Sequence, residues 1–387
     1  MSFIDQIFVV AMHKLLDLAG RFLPPIFVVL TSILISITAI ALFAPVTMMY
    51  LTWLERKIVG RIQNRYGPNR VGKFGLLQPI ADGIKMLTKE DVVPADADPV
   101  VHFLAPILVV VPSLLLFSVL PFGRGMIAAD LDIGLLFFIA ISSLGTLAIF
   151  MGGWASRNKF SLLGAMRAIA QMVSYEVPLV LSVVTVIMIS GSLSTRAIVE
   201  AQGGWGGLQW YCFTPWGFVG FILFFICAVS EVNRTPFDIP EGESEIVAGF
   251  HTEYSGMKFA LFYMAEFLNA FAFSALGATL FLGGWQGPLL PSWIWFGLKT
   301  FCLIFIMIWF RGTLPRLRVD QLMSYAWKFL LPMGLVNILA TGLWHYLPDK
   351  LIAYPVTTLI LLLAFVGLSR AQPTGTPFGK RQYLFAE

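Results

Sequence analysis

Charge is what this chain has least of. Only 12% of its 387 residues are Asp, Glu, Lys or Arg, against about 25% in soluble domains. So few charges cannot cover a water-facing surface of this size, which excludes an ordinary soluble globular protein. Cysteine and histidine are sparse as well. Cys212, Cys227 and Cys302 are scattered singly, as are His13, His102, His251 and His345. No spacing among them reads as a disulfide pair, a zinc knuckle or an iron–sulfur ligand set. A G-x-x-x-x-G-K-[ST] loop is missing, and the glycine-rich run Gly203–Gly207 is expected to follow no strand and open no helix. The chain therefore offers no metal, nucleotide or cluster site of its own, and any redox centre is expected in a partner or a lipid-soluble substrate. Its net charge of +4 does not point to nucleic acid. In a membrane chain, an excess of Lys and Arg mostly reports topology. Internal repeats, inverted pairs of broken helices, heptads and Gly/Ser linkers are not seen, which weakens a transporter reading.

What is abundant is apolar. The chain is 58% hydrophobic, with 34 Phe, 11 Trp and 15 Met, and its mean hydropathy is +0.81. Nine apolar stretches approach the length needed to cross a hydrocarbon core of about 30 Å. They fall near residues 25–52, 101–121, 133–154, 171–190, 216–230, 258–282, 293–310, 329–347 and 351–369. The fifth is short and ends at Glu231, and the ninth contains Pro355. The expected fold is all-α: a polytopic integral membrane protein of about nine transmembrane helices plus an amphipathic interfacial helix, forming one membrane domain over 1–387. Residues 1–20 read as an amphipathic leader at the membrane surface, without the basic start and cleavage site of a signal peptide. Every second loop is basic, which predicts an outside N-terminus and a cytoplasmic tail over 370–387.

Two loops are more than connections. Residues 55–91 begin dense in Arg and Gly, then place Leu77, Ile80, Ile84 and Leu87 on one helical face, with Gln78, Asp82, Lys85 and Lys89 on another. That is the pattern of a helix lying in the interface against membrane lipids or a partner. Residues 231–257 reverse the charge rule. Glu231, Asp238, Glu241, Glu243, Glu245 and Glu253 gather there, interleaved with Phe237, Ile239, Ile246, Val247 and Phe250 and stiffened by Pro236 and Pro240. A solvated acidic loop is the bland reading. The apolar residues between the acids predict a folded, partly buried one.

Glu176, Glu231 and Glu266 fall within or at the ends of apolar stretches. A charge near the bilayer centre costs about 2.5–3.5 kcal/mol even on lenient scales, so such residues face a bundle interior, water or a partner. Lys299 is almost the only basic residue inside a stretch and cannot neutralise all three. Proton handling is the favoured reading over structural pairing.

Two runs, GLLQPIADGIKMLTKE (Gly75–Glu90) and PFDIPEGESEIVAG (Pro236–Gly249), resemble the characteristic motifs of one family, the quinone-site membrane subunit of respiratory complex I. The family comprises the H subunit of bacterial NADH:quinone oxidoreductase and its counterpart in the mitochondrial enzyme. The runs ERK…GPNRVG (Glu55–Gly72), EVNRTPFD, FHTEYSGMKFALFYMAEF and PRLRVDQLM (Pro315–Met323) fit as well. The resemblance implies a cavity that admits a quinone, with ubiquinone as the expected substrate. It is lined or shaped by Glu55, Arg56, Arg65, Asp82 and Lys85, with Arg234 and Phe237 in the loop beside it. It further implies a proton path through Glu176, Glu231, Asp238, Glu241, Glu243, Glu253 and Glu266, and an interface with peripheral subunits at Arg316 and Arg318. No cofactor is expected in this chain. FMN and iron–sulfur clusters belong to partner subunits of the peripheral arm, and small membrane-arm subunits are further partners. The implied location is the bacterial inner membrane, with a periplasmic N-terminus. The related component of membrane-bound hydrogenases and a stand-alone cation/proton antiporter are the alternatives.

Overall fold

The structure, a computed structural model, describes residues 5–21, 24–240 and 242–371. Glu241 and the tail from 372 onward lie outside the described residues, as does the side chain of Glu243. The architecture is all-helical. In chain order the helices are α1 (Ile7–Gly20), α2 (Pro25–Ile62), α3 (Gln78–Thr88), α4 (Pro99–Leu116), α5 (Gly134–Ala155), α6 (Lys159–Ser190), α7 (Thr195–Ala201) and α8 (Gly204–Gly207). They continue with α9 (Pro215–Glu231), α10 (Glu243–Ile246), α11 (Gly256–Phe281), α12 (Ser292–Thr313), α13 (Val319–Tyr325), α14 (Leu331–Tyr346) and α15 (Lys350–Ala371). α8 corrects the expectation that the glycine run opens no helix: four residues close one turn there. Among the described residues, eight helical segments are long and apolar enough to cross a membrane, α13 and α14 together forming one of them. α9, at 17 residues, is the shorter ninth.

Local chemistry sets the ends of these helices. The Asp98 carboxylate accepts the N–H groups of Val100 and Val101 to start α4, and Asn158 accepts that of Phe160 to start α6. Gly191, left-handed at φ 66°, stops α6. A π-turn over Ala326–Leu330 joins α13 to α14 just before Pro332. Proline has no N–H to give and crowds the carbonyl four residues back, which favours a widened turn there. α15 passes through Pro355 without a break.

Several helices outrun the apolar stretches that announce them. α2 has 38 residues, about 57 Å at 1.5 Å per residue, so it projects well beyond a core of about 30 Å. Nothing in WLERKIVGRI stops a helix, and the turn comes only before Gly67-Pro68. Glu55 and Arg56 are therefore helix residues held at fixed positions. α6 likewise starts at Lys159, and α12 continues to Thr313, carrying Arg311.

α11 is the central helix, buried without interruption from Ala270 through Phe281. Ala265, Ala270, Ala272, Ala275, Gly277 and Ala278 let neighbouring helices approach closely, while Phe271 meets the rings of Phe43, Phe117, Phe122 and Phe301. The outer faces of α2 and α15 expose Ile33, Leu34, Ile37, Leu359, Leu362 and Leu363, as hydrocarbon-facing surfaces do.

The loops sort to two ends. At one, Lys299 reaches out of α12 to donate to the carbonyls of Leu282, Gly284 and Gln286 at 2.5, 2.9 and 2.6 Å, with its ammonium 4.2 Å from the Trp210 ring. The intramembrane lysine thus locks a loop, and among the described residues it pairs with no carboxylate. At the other end the segments near 55–91, 156–160, 231–258 and 311–318 fold onto one another.

Candidate functional site

The acidic segment is folded because its backbone is stitched to α6 and to the stretch after α12. Buried Gln171 donates from Nε2 to the carbonyls of Ser230 and Phe237 at 2.8 and 2.7 Å. Ser161 donates to the Phe250 carbonyl at 2.8 Å. Gly164 lets the loop pass close to α6, for a Cβ there would lie 2.7 Å from the Gly249 Cα. Arg316 donates to the Ile239 carbonyl at 3.1 Å, and Leu317 N–H to the Pro236 carbonyl at 3.2 Å.

This folding delivers Arg234 into the bundle. It is 6% exposed and bridges two carboxylates, with Nη1 2.7 Å from Glu55 of α2 and Nε 2.8 Å from Glu266 of α11. The Phe267 ring lies 4.3 Å from the guanidinium carbon. Arg311 pairs with the other oxygen of Glu55. Two arginines and two glutamates make a neutral, mostly buried network, the arrangement that lets charges persist away from water.

Two cavities flank this network. The first is lined by the charged groups of Glu55, Arg234 and Arg311 and by Leu51, Phe267, Ala270, Ile304, Met307 and Ile308. The second lies among α4, α5, α6, α9, α11 and the acidic segment. Its polar lining is Glu231, Asn233, His251, Tyr263, Glu266 and Asn269, and its walls include Val109, Ile149, Met172, Phe250, Phe259 and Phe262. Glu231 Oε2 and Asn269 Oδ1 are buried there without a hydrogen-bond partner among the described residues. Arg234 lines the first cavity and Glu266 the second, so their ion pair joins the two.

The remaining expected residues spread around this centre. Arg56 pairs with Asp82 at 2.6 Å, and Gln78 donates to the same carboxylate at 2.9 Å, which ties the exposed end of α2 to α3. Lys85 and Arg65 are exposed, and Arg65 bonds Gln63 at 2.8 Å. Arg56, Asp82, Lys85 and Arg65 line neither cavity. Phe237 is buried against Tyr175, ring centroids 5.4 Å apart. Glu253 accepts from Asn158 at 2.6 Å, away from both cavities. Glu176 of α6 lies within electrostatic reach of Glu231. Arg316 is turned inward onto the acidic segment, while Arg318 is exposed.

Burial and then the Glu266 charge push the Asp238 carboxyl up to about 6, against the pull of Arg316, Arg311 and Arg234. Arg167, hydrogen-bonded at 2.6 Å, holds the exposed Glu245 below the usual carboxylate range. Burial lowers the His251 imidazole to about 4.

Charge counting along the apolar stretches left Glu266 without a base. The structure corrects that: Arg234 folds back from outside the stretch to pair with it. Glu176 and Glu231 make no ion pair among the described residues. Arg311 and His251 were not singled out from the sequence. Arg311 pairs with a residue 256 positions away, a contact no local pattern announces, and His251 is a lone histidine among aromatics. Among the described residues no group of three His, Cys, Asp or Glu is placed to hold a metal ion.

A family model described as NADH dehydrogenase matches residues 35–342. The NADH-quinone oxidoreductase H subunit of Dehalococcoides mccartyi strain CBDB1 is 52% identical over 320 residues, covering 83% of this chain and 87% of the relative. One of the H subunits of Syntrophobacter fumaroxidans is 52% identical over 304 residues, 76% of this chain and 90% of the relative. One from Geobacter sulfurreducens is 50% identical over 315 residues, 79% and 94% respectively. The chain belongs to the family of NADH-quinone oxidoreductase H subunits. The span matched to this family contains every helix from α3 through α13, and with them both cavities and the Arg234 network. The chain is a multi-pass membrane protein of the complex I type, with eight helical segments among the described residues able to cross a bilayer.

Proposed function

We propose that this chain, as part of a proton-pumping NADH-quinone oxidoreductase, forms the quinone chamber and the start of the proton path. The observation that carries the reading is the first cavity, where the charged groups of Glu55, Arg234 and Arg311 meet apolar walls. A quinone has the same division, a polar head that gains charge on reduction and an apolar tail. The head would sit against the guanidinium groups, where developing negative charge is stabilised. Arg56, Asp82, Lys85 and Arg65 shape the outer approach along α2 and α3, and Phe237 packs beneath the loop. Ubiquinone is the expected substrate. Electrons come from FMN and iron–sulfur clusters in partner subunits, docked near Arg316 and Arg318.

Reduction to quinol consumes two protons and two electrons. The carboxylates Asp238, Glu266, Glu231 and Glu176, with Glu241, Glu243 and Glu253 in the same segment, are the groups through which protons would be supplied and the charge change passed inward. The end bearing these loops faces the cytoplasm, and the N-terminus lies in the periplasm. The test is Ala270→Trp, which fills the first cavity. Quinone reduction by the assembled complex is expected to fall about tenfold or more, because a displaced head loses its positioning, while NADH oxidation with a water-soluble acceptor stays normal. Full quinone reduction in a correctly assembled variant would refute the chamber.

A further inference from the structure

The second cavity contains a group that the carboxylate path leaves out. His251 follows the loop segment that Gly164 admits against α6, and its imidazole lines the same cavity as Glu231 and Glu266. It is held edge-on between two aromatic rings, Phe250 at 4.9 Å and 86° and Phe259 at 5.2 Å and 65°. These two contacts place the ring at the cavity wall without hydrogen-bonding either nitrogen to an aromatic neighbour. Glu231 Oε2 and Asn269 Oδ1, unpartnered among the described residues, need donors, and water beside them would supply these. Most of the lining is aliphatic or aromatic, and the Asn233 and Asn269 amides do not titrate.

We propose that His251 is the proton-relay residue of this cavity, passing protons between water on the acidic-segment side and the cavity's carboxylates. The proposal deepens the proton-path reading above and rests on it. In the step, a hydrated proton binds the free ring nitrogen. The N–H on the opposite nitrogen then gives its proton to cavity water or to a carboxylate, and reorientation of the ring restores the first tautomer. One proton enters, one leaves, and no electrons move. A neutral imidazole can do this because it offers one donor and one acceptor at once. Burial keeps the ring neutral at physiological pH. The ionisable groups on the surrounding elements are His102 on α4, Lys159, Arg167, Tyr175 and Glu176 on α6, Cys227 and Glu231 on α9, and Lys258, Tyr263 and Glu266 on α11, where Lys258 pairs with Asp91. α5 has none, and Glu253 follows in the same segment. Arg167 is engaged by Glu245, and Glu253 by Asn158.

The experiment uses the whole complex in proteoliposomes, with His251→Asn and His251→Gln. Both keep a polar side chain that cannot exchange protons. NADH-driven quinone reduction and proton uptake are expected to slow about tenfold to a hundredfold, the range of a lost acid–base group, and the solvent deuterium isotope effect is expected to rise. In His251→Ala, added imidazole should restore part of the rate. Wild-type rates with an unchanged isotope effect would overturn the proposal. So would slowing with neither isotope change nor rescue, or failure of both polar variants to assemble, each of which marks a structural role. Glu231→Gln separates the two ideas. Lost pumping there with normal His251→Asn sinks only the relay, and normal pumping in Glu231→Gln sinks the path itself.

Discussion

Arg234→Met is the sharpest test of the charge network. The substitution keeps most of the side-chain length and removes a guanidinium held 2.7 Å from Glu55 and 2.8 Å from Glu266. Glu55 keeps Arg311, so the loss falls mainly on Glu266. Removing one partner of a buried ion pair costs about 3–5 kcal/mol. At about 1.4 kcal/mol per factor of ten, thermal inactivation of the purified complex should accelerate by two to three orders of magnitude if the contact is lost on the way to inactivation. Lost packing on Phe267 would contribute to the same figure, so the single variant cannot isolate the charge effect. The second arm is therefore Arg234→Met with Glu266→Gln, which leaves no charge opposite the missing one. Residues in one network couple by about 0.5–3 kcal/mol, and the double variant should be roughly ten to a hundred times slower to inactivate than Arg234→Met alone. Inactivation rates at one temperature for the four forms complete the cycle. If the double variant is as labile as the single, the two residues do not interact as the geometry requires, and the bridge between the cavities is refuted.

Two further outcomes follow from the same region. Asp238 has a folded-state pKa near 6, above the unfolded value near 3.9, so the folded chain binds this proton more tightly. Its stabilising effect is present at low pH and is lost as pH rises through about 6. Asp238→Asn should thus gain thermal stability relative to the parent near pH 8, keep roughly half of that advantage near pH 5 and lose it below about pH 4; a gap that does not change with pH would contradict the burial argument. Gly164→Ala places a Cβ 2.7 Å from the Gly249 backbone and should destabilise by about 1–3 kcal/mol through overpacking, moving the turn that carries His251. Unchanged thermal inactivation and unchanged proton uptake together would show that the close approach is not needed.

Much of the membrane architecture was legible in the residues. Scarce charge and long apolar runs leave few alternatives to a helical bundle in lipid, because every backbone polar group must be satisfied within its own segment. Helix ends were harder to read. α2 and α6 run ten or more residues past the apolar stretches near 25–52 and 171–190, since a helix continues wherever nothing breaks it, whether or not its side chains suit hydrocarbon. The acidic segment was recognisable as folded from Phe237, Ile239 and Phe250 among the acids. Its partners on α6 and beyond α12 were not.

What the sequence determined by itself is the class of molecule and the list of carboxylates, since both follow from composition and from charges set inside apolar runs. Tertiary structure alone decided how those carboxylates differ. Glu266 is paired because Arg234 folds back from the loop, and Glu55 is held because α12 carries Arg311 to it. Glu231 lines a cavity together with His251 and keeps one oxygen unpartnered among the described residues. These distinctions depend on contacts between distant parts of the chain, and electrostatic energy in a low-dielectric interior is set by such distances rather than by position in the sequence.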